Sequence, residues 1–344
     1  MLINAGWRVE IINPDFEGSD ESGIRFRRIM LPSRRLGRMW QARKAALSAI
    51  QKSRADICTL HDPELLPLLL ELKHVPIQTT YDAHEDLPAQ MCNKPWLPPG
   101  FRILGAKASS AMLNRYLPYA DGVIAATDGI ADKLSPLNER LCVFRNRPTE
   151  QDFNLFDIAR SCTKRMPKAI CYAGAISEKR GLFRMIACCF QAGATLMLAG
   201  RFESDALKKK AEGMSEYACV KYLGVLDRSE IATLYAQCSA GLVLLDETPA
   251  YRDSEPIKLF EYLCAGLPVV ASDFAHWRTL CSEDSVKFVN IQSEQEITQA
   301  IRNMISAPFE VDIEAARQQF GNSEDASRLL QFYAQLEEKG RPKP

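Results

Sequence analysis

Short apolar runs of strand length alternate with segments of helical period along the chain. Runs such as Ile57–Leu60, Gly122–Ala125 and Pro268–Ala271 are apolar almost throughout, which is typical of strands buried on both faces of a parallel sheet. Segments of helical pattern, such as Phe101–Leu117 and Glu294–Ile305, lie between the strands. The alternation predicts an α/β protein whose parallel sheets are covered by helices on both faces.

The predicted strands share this short apolar character and are Arg8–Ile12, Ile57–Leu60, Ile77–Tyr81, Gly122–Ala125, Leu141–Phe144, Ala169–Tyr172, Thr195–Ala199, Val220–Leu223, Ala240–Leu244 and Pro268–Ala271. The predicted helices share the longer period and are Met39–Lys52, Pro63–Lys73, Phe101–Leu117, Gly129–Leu134, Gly181–Gln191, Asp205–Glu212, Arg228–Ala236, Ile257–Ala265, Glu294–Ile305 and Ser323–Leu336.

One polar, proline-bearing stretch, Asn146–Pro167, separates two of these strands and indicates a domain boundary. A chain of 344 residues is long enough for two domains that each bury their own core. We therefore predict two doubly wound domains, 1–148 and 149–318, followed by a segment 319–344 that contains the last helix.

The start of the chain departs from this plan. Met1–Gly6 has the pattern of a helix end with a glycine cap, and a strand follows at Trp7. A doubly wound domain normally begins with a strand whose following turn lines the ligand crevice. The first domain is thus predicted to lack its first strand. A shortened reading frame or enzyme explains this, and the alternative is an N-terminal sheet that is built differently; we favour the first explanation.

Composition narrows the function classes. The formal net charge is zero, so nothing global indicates a nucleic-acid partner. No apolar run is long enough to span a bilayer, and no signal-peptide pattern begins the chain. The 11 cysteines include no C-x-x-C pair and predict core thiols in a reducing, cytoplasmic setting. The four histidines have no metal-ligand spacing.

A basic segment, 34–54, is partly amphipathic. Its marked residues are Arg34, Arg35, Arg38, Trp40, Arg43 and Lys44. Peripheral contact with the inner face of an anionic membrane is one interpretation. A solvated helix face is the commoner one.

The segment Asp253–Asp273 carries the most specific chemistry. Pro256 suits the start of a helix, and Gly266 suits its left-handed end. Lys258 and Glu261 are three residues apart and share a helix face. A helix start favours a diphosphate, and a carboxylate one turn further in can accept hydrogen bonds from a ribose diol. A solvated charge pair on an ordinary crossover helix explains the same residues equally well.

This segment resembles the signature of the retaining family 4 glycosyltransferases of GT-B fold. The matching residues are Pro256, Lys258, Glu261, Tyr262, Ala265, Gly266, Pro268, Val269 and Val270. The resemblance implies two Rossmann-like domains that face each other across a cleft, with a last helix that crosses back to the first domain. It also implies that Glu261 binds ribose and Lys258 the diphosphate. The family's second acid aligns with Asp253, with Glu255 close by, so either acid is a candidate to contact the donor sugar.

Two further stretches of the second domain fit a donor site. Gly174 follows a strand, and Arg180 precedes a second glycine, so the turn suits a phosphate; a tight turn without ligand is the alternative. The family usually has arginine after the first glycine, where this chain has Ala175. Tyr222 and Gly224 lie in a stretch that resembles the backbone cradle for the nucleotide base.

Two predicted strands of the first domain end in histidine and acidic residues. His61 follows one strand, and Asp82 and His84 follow another. Ligand groups collect at the carboxyl ends of strands in open α/β sheets. The run Y-D-A-H-E-D-L-P resembles the family's acceptor-side segment, which implies that His84 lies at the reacting centre, with His61 and Asp82 as neighbours. Asp82, His84 and Glu85 have ligand types that suit a divalent metal, but GT-B enzymes generally use none, so no metal or other cofactor is expected.

The resemblance implies an enzyme that moves a sugar from a nucleotide-diphosphate sugar to a glycan or lipid-linked acceptor with retention. The family context implies a role in surface polysaccharide synthesis. The alternatives are a nucleotide-sugar epimerase of the same architecture and an inactive donor-binding protein. The missing first strand and Ala175 favour the inactive protein.

Overall fold

The computed structural model describes residues 1–20, 23–30, 35–92, 98–248, 251, 254–307 and 310–338. The chain divides into two compact units, one of Met1–Arg145 with Ser323–Pro344 and one of Asn146–Asn322. The divisions fall after 145 and 322, where the sequence suggested 148 and 318.

The described strands of the first unit form two sheets. Their bounds are Glu10–Asn13 (β1), Gly18–Ser19 (β2), Arg25–Arg28 (β3), Ile57–Leu60 (β4), Gln78–Ala83 (β5), Gly122–Ala125 (β6) and Leu141–Val143 (β7). β3 pairs in parallel with β1 and antiparallel with β2. β4 to β7 form a parallel sheet in chain order. Among the described residues, no hydrogen-bonded strand connects the sheet of β1 to β3 with the sheet of β4 to β7. A 3-10 turn capped by Gly6 (φ 87°) precedes β1, where the sequence predicted a helix end with a glycine cap.

The helices of this unit up to residue 145 are Arg35–Ser53 (α1), Leu68–Leu72 (α2), Leu87–Cys92 (α3), Pro99–Tyr116 (α4) and Asp128–Leu134 (α5). The prediction of one helix over Pro63–Lys73 is wrong. A 3-10 turn at Pro63–Leu65 comes first, and α2 begins after Pro67. Proline interrupts a helix because it lacks an N–H and its ring clashes with the preceding turn.

The described strands of the second unit form one parallel sheet. Their bounds are Ala169–Ala173 (β8), Thr195–Ala199 (β9), Val220–Gly224 (β10), Ala240–Val243 (β11), Val269–Ser272 (β12) and Val286–Val289 (β13). The order is β10-β9-β8-β11-β12-β13, so the chain reverses direction across the sheet between β8 and β11. β8 is buried on both faces: Ile170 packs into one core and Cys171 into the other. This is the predicted doubly wound fold, and its ligand crevice lies at the reversal point.

The described helices of the second unit are Glu150–Cys162 (α6), Leu182–Ala192 (α7), Asp205–Glu212 (α8), Arg228–Gln237 (α9), Ile257–Cys264 (α10), Ala275–Leu280 (α11), Glu294–Ser306 (α12) and Ile313–Phe320 (α13). The domain boundary that the sequence placed in Asn146–Pro167 falls at the start of this stretch, and most of the stretch is α6, which the sequence did not predict. Thr149 and Asp152 form a capping box at its start, and Phe153 and Phe156 are buried on one face. Six further elements were not predicted from the sequence: β2, β3, β13, α3, α11 and α13.

The last helix, Ser323–Glu338 (α14), belongs to the first unit, as the resemblance implied. Tyr333 Oη lies 2.9 Å from Thr59 Oγ1 on β4, and the Tyr333 ring packs against Trp7. Leu329 and Leu336 are buried on the same face. The end of the chain therefore completes the apolar core of the unit that contains its start.

Candidate functional site

The reversal point of the second sheet is lined by a tightly packed glycine turn. Gly174 follows β8, and a Cβ at Gly200, which follows β9, would lie 1.8 Å from the Gly174 carbonyl oxygen. Gly181 (φ 80°) precedes α7, and a Cβ there would lie 2.2 Å from the Leu244 carbonyl oxygen. Backbone therefore approaches backbone at these positions, which only glycine permits. The turn is preorganised beside the carboxyl ends of β8 and β11, where ligands bind in this fold.

Arg180 lies half-buried in this turn, beside two phenol side chains. Burial acts to lower the pKa of Arg180, but the neighbouring hydroxyl groups of Tyr172 and Tyr251 outweigh it and raise that pKa. Tyr172 Oη also donates to the Ala175 carbonyl oxygen over 2.8 Å. The guanidinium is thus a permanently charged group held at the turn, and its fork geometry suits phosphate oxygens.

Glu261 forms the centre of the second cluster. Its carboxylate is buried on α10, and its side chain is only 7% exposed. Oε2 accepts hydrogen bonds from Lys258 Nζ at 2.6 Å and from Tyr235 Oη at 2.9 Å. Oε1 accepts from Arg228 Nη1 at 3.2 Å. The charge pair on α10 is therefore neither fully solvated nor isolated, because it is part of a buried network.

Glu255 lies just before α10 and is bound by Arg147. Arg147 Nη2 approaches Glu255 Oε1 at 3.4 Å, and the Arg147 guanidinium lies over the Phe260 ring. The ion pair ties the loop before α10 to the segment before α6. Asp253, the other predicted sugar-binding acid, lies outside the described residues.

Tyr222 and Gly224 lie at the carboxyl end of β10. Tyr222 Oη donates to the Gly200 carbonyl oxygen over 2.9 Å, and its ring packs edge-on against Phe202. Gly224 has a left-handed backbone (φ 73°), and its carbonyl accepts from the Gly200 N–H. The Tyr222 side chain is therefore engaged in contacts within the protein.

In the first unit, the structure brings His61 and Asp82 together at the carboxyl ends of β4 and β5. His61 Nδ1 lies 2.9 Å from Asp82 Oδ2. The hydrogen bond that His61 donates to the Asp82 carboxylate raises the pKa of His61 against the opposing effect of burial, and the charges of Asp82 and Asp62 add to the rise. His84 is exposed and follows β5 by one residue. The predicted collection of polar groups at these strand ends is thus formed by the His61–Asp82 pair with His84 nearby in sequence.

Among the described residues, no group of three or more His, Cys, Asp or Glu side chains is arranged to hold a metal ion. Glu85, one of the three residues whose chemistry suits a cation, accepts a hydrogen bond from Gln90. That no metal is needed stays a prediction.

The basic segment 34–54 falls largely within α1. Arg34 lies outside the described residues, and the side chains of 35–40 do too. Arg43 Nε pairs with Glu71 Oε1 at 3.0 Å, and Ala46 and Ile50 are buried in the core of the first unit. Within the described part of the chain, none of the helices has the length and apolar character that a membrane span requires.

Sequence reasoning missed Arg228, Tyr235, Asp152 and Gly200. Arg228 follows the Asp227 cap of α9, and Tyr235 lies two turns later, so both had the pattern of ordinary helix residues. Arg228 and Tyr235 are 33 and 26 residues away from Glu261 in sequence, so no local spacing reveals their contacts with it. Gly200 carried a local signal, since it directly follows an apolar strand, as Gly174 does.

Two family models match the chain. Residues 1–146 match the model described as Glycosyltransferase Family 4, and residues 167–307 match the model described as Glycosyl transferases group 1. No curated protein sequence matches.

Solved structures of similar fold include a sucrose-phosphate synthase from Thermosynechococcus elongatus, with a TM-score of 0.72 and 19% identity over 97% of this chain and 90% of that one. WaaG, a glycosyltransferase involved in lipopolysaccharide biosynthesis, has a TM-score of 0.62 and 15% identity over 98% and 91%. HepE from Anabaena, in complex with UDP, has a TM-score of 0.61 and 14% identity over 91% and 86%. With both halves matched by the family models and the GT-B fold shared with these structures, the chain belongs to the family 4, group 1 glycosyltransferases and is an enzyme of the glycosyltransferase class.

Proposed function

We propose that this glycosyltransferase moves a sugar from a nucleotide-diphosphate sugar to a glycan or lipid-linked acceptor, with retention of configuration. The observation that carries the proposal is the buried carboxylate of Glu261, which lies one turn inside α10 on the same face as Lys258. A buried carboxylate held by three hydrogen-bond donors is a suitable hydrogen-bond acceptor for sugar hydroxyl groups, because its orientation is already set.

Each part of the nucleotide-sugar substrate has a residue of matching chemistry in the second unit. Glu261 binds the ribose diol, and Arg180 and Lys258 bind the diphosphate. The backbone N–H groups at the start of α10 add further positive partial charge. The base lies against the backbone of Tyr222 and Gly224. Gly174 gives the diphosphate room at the turn after β8.

The donor sugar contacts Asp253 or Glu255, and His84 acts beside the reacting carbon, with His61 and Asp82 on the acceptor side. The bond between the anomeric carbon and the diphosphate oxygen breaks, and a bond from the acceptor oxygen forms on the same face. The acceptor proton passes to the departing diphosphate, so the step needs no side-chain nucleophile. Arg180 and Lys258 offset the leaving-group charge, and we propose that no metal is required.

UDP is the first donor nucleotide to test, because structures of HepE contain UDP and UDP-glucose. A glycan acceptor in surface polysaccharide synthesis is supported by the similarity to WaaG, a glycosyltransferase involved in lipopolysaccharide biosynthesis. A cytoplasmic site of action is supported by all 11 cysteines being free thiols. Contact of segment 34–54 with the inner membrane face stays a proposal.

A thermal-shift screen against UDP, GDP, ADP, CMP and dTDP tests the donor site. A ligand at a hundred times its dissociation constant stabilises the folded state by about 2.7 kcal/mol. We expect one nucleoside diphosphate to stabilise the wild type and not Glu261→Gln, which keeps the side-chain shape but not its charge. Glu314→Gln, an exposed glutamate on α13, is the matched control and is expected to respond like the wild type.

Turnover then separates the alternatives. Transfer is supported if the nucleoside diphosphate is released only when an acceptor is present. Release that is the same with and without EDTA supports a metal-independent reaction. NMR of the product gives its anomeric configuration. Conversion of the donor sugar without acceptor identifies an epimerase instead. Nucleotide binding without turnover on a broad acceptor panel identifies an inactive donor-binding protein, and no nucleotide response contradicts the donor site altogether.

A further inference from the structure

Two residues of α9 donate hydrogen bonds to the Glu261 carboxylate: Tyr235, which is buried, and Arg228, whose side chain is 49% exposed. Arg228 Nη1 donates to Oε1 at 3.2 Å, and Tyr235 Oη donates to Oε2 at 2.9 Å. Arg228 and Tyr235 are seven residues apart, so they lie on one face of α9, two turns from each other. The Tyr235 ring also packs edge-on against Tyr262, with 4.9 Å between centroids. α9 thus holds Glu261 through both of its carboxylate oxygens.

Arg228 is itself anchored to a second buried acid. Arg228 Nε donates to Asp152 Oδ1 over 2.9 Å, and its Nη2 bonds the same oxygen. The other oxygen of Asp152 accepts from the Thr149 N–H at 2.8 Å and from Thr149 Oγ1 at 2.9 Å. The guanidinium therefore bridges two carboxylates that are each almost fully buried, and its planar set of five donors allows this without a change of conformation.

Lys258 holds Glu261 in a different way. It lies on α10 itself, three residues before Glu261. Its side chain is 29% exposed and that of Arg228 is 49% exposed, so the difference between them is the second anchor of Arg228 on Asp152. Under the proposed function, Lys258 binds the donor diphosphate. An ammonium that turns to the diphosphate weakens or loses its bond to Glu261 Oε2, whereas Arg228 stays tied to Asp152. The orientation of Glu261 in the donor complex then depends on Arg228 and Tyr235.

We propose that Arg228 is a positioning residue that fixes the Glu261 carboxylate for the ribose diol and thereby makes the site selective for ribose over 2′-deoxyribose. The inference rests on the proposed function of Glu261. In the described part of the chain, Arg228 is the donor to Oε1, and a carboxylate oxygen has a second lone-pair direction that a hydroxyl group can use. A site built to bond a substrate hydroxyl discriminates strongly against an analogue that lacks it, provided that the acceptor is held in place.

The test compares dissociation constants of UDP and 2′-deoxy-UDP by calorimetry. If UDP does not bind, the GDP and ADP pairs are used in the same way. We expect the wild type to prefer the ribonucleotide by about tenfold or more, because the lost bond involves a charged acceptor. In Arg228→Met the preference is expected to fall below about threefold, and Arg228→Lys, which keeps a cation, is expected to restore part of it.

Arg317→Met is the matched control, because Arg317 forms a comparable ion pair with Asp157 in the same unit and packs over Phe153. It is expected to keep the wild-type ratio even where it lowers the unfolding temperature. A merely structural role of Arg228 would lower the affinity for both nucleotides equally. Arg228→Gln, which retains donors for Asp152, serves in place of Arg228→Met if that variant does not fold.

The outcomes separate this inference from the function on which it rests. A folded Arg228→Met or Arg228→Gln that keeps the wild-type ratio overturns the positioning role and leaves the donor site intact. A wild type that binds UDP without distinguishing 2′-deoxy-UDP overturns the ribose role of Glu261, and the positioning role falls with it. A wild type that binds none of the nucleotides contradicts the proposed function itself.

Discussion

Lys258 Nζ and Glu261 Oε2 are 2.6 Å apart on one face of α10. The two groups differ in their surroundings, since the lysine side chain is 29% exposed and the glutamate side chain 7%. Lysine has a flexible stem and an ammonium that can change partner, whereas the carboxylate is also held by Arg228 and Tyr235. The pair therefore combines a fixed acceptor and a cation that can turn to another anion at the start of one helix.

Lys258→Met is expected to weaken the binding of UDP by about tenfold, because a charge-assisted bond to the diphosphate is lost. The affinity for uridine, which has no phosphate, is expected to change by less than about threefold, since Arg228 and Tyr235 still hold Glu261. Calorimetric titration of both ligands measures the two effects. Lys287→Met, an exposed lysine on β13, is the control. Equal losses for UDP and uridine would show that Lys258 acts only by orienting Glu261.

Gly181→Ala is expected to destabilise the second unit and to abolish nucleotide binding. The new Cβ would lie 2.2 Å from the Leu244 carbonyl oxygen, so the turn after β8 must move. Gly193→Ala provides the matched control, because Gly193 is also left-handed (φ 68°) but a Cβ there meets nothing within 4 Å. The control reports only the conformational cost of a left-handed alanine, about 1–2 kcal/mol. Thermal unfolding of the two variants gives the difference, and equal shifts would contradict the close backbone approach.

The glycine positions also show what the sequence could predict. The strand–helix alternation predicted the doubly wound class, and Gly266 has the left-handed backbone (φ 77°) that was expected at the end of α10. These features depend on local periodicity and backbone preference, which are written in consecutive residues. Lys258 and Glu261 were paired correctly for the same reason, since three residues on a helix define one face.

Other features depend on contacts between distant parts of the chain. Arg228 and Glu261 are 33 residues apart, and Arg147 and Glu255 are 108 apart, so neither ion pair has a local pattern. β3 was missed because its residues, Arg25–Arg28, are mostly charged, and the pairing with β1 overrides this composition. α6 was not predicted because its polar, acidic start hid the buried spacing of Phe153 and Phe156.

The His61–Asp82 pair predicts a pH effect. Because the pKa of His61 is raised in the folded state, the pair contributes stability that is fully present below the unfolded pKa of His61 and is lost as pH rises through the higher folded pKa. Asp82→Asn is expected to return the pKa of His61 toward its ordinary value and to reduce the unfolding temperature more under acidic than under alkaline conditions. The effect on stability is small because the His61 side chain is 66% exposed.

NMR titration of the His61 ring signals in the wild type and in Asp82→Asn checks the shift. Asp132→Asn, which removes an acid on α5 away from the pair, is the control and is expected to leave the titration of His61 unchanged. A His61 pKa that is the same in the wild type and Asp82→Asn would contradict the hydrogen bond.

The roles proposed for Glu261, Lys258, Arg180 and Arg228 all require a nucleoside diphosphate to bind at the reversal point of the second sheet. Amide hydrogen exchange, with and without the nucleotide that stabilises the protein most, locates the bound nucleotide along the chain. We expect slower exchange in the turn 174–181 and at the start of α10, 257–261, with no change in α8, and loss of this protection in Glu261→Gln. Protection confined to other segments, or unchanged protection in Glu261→Gln, would contradict the assignment of the donor site.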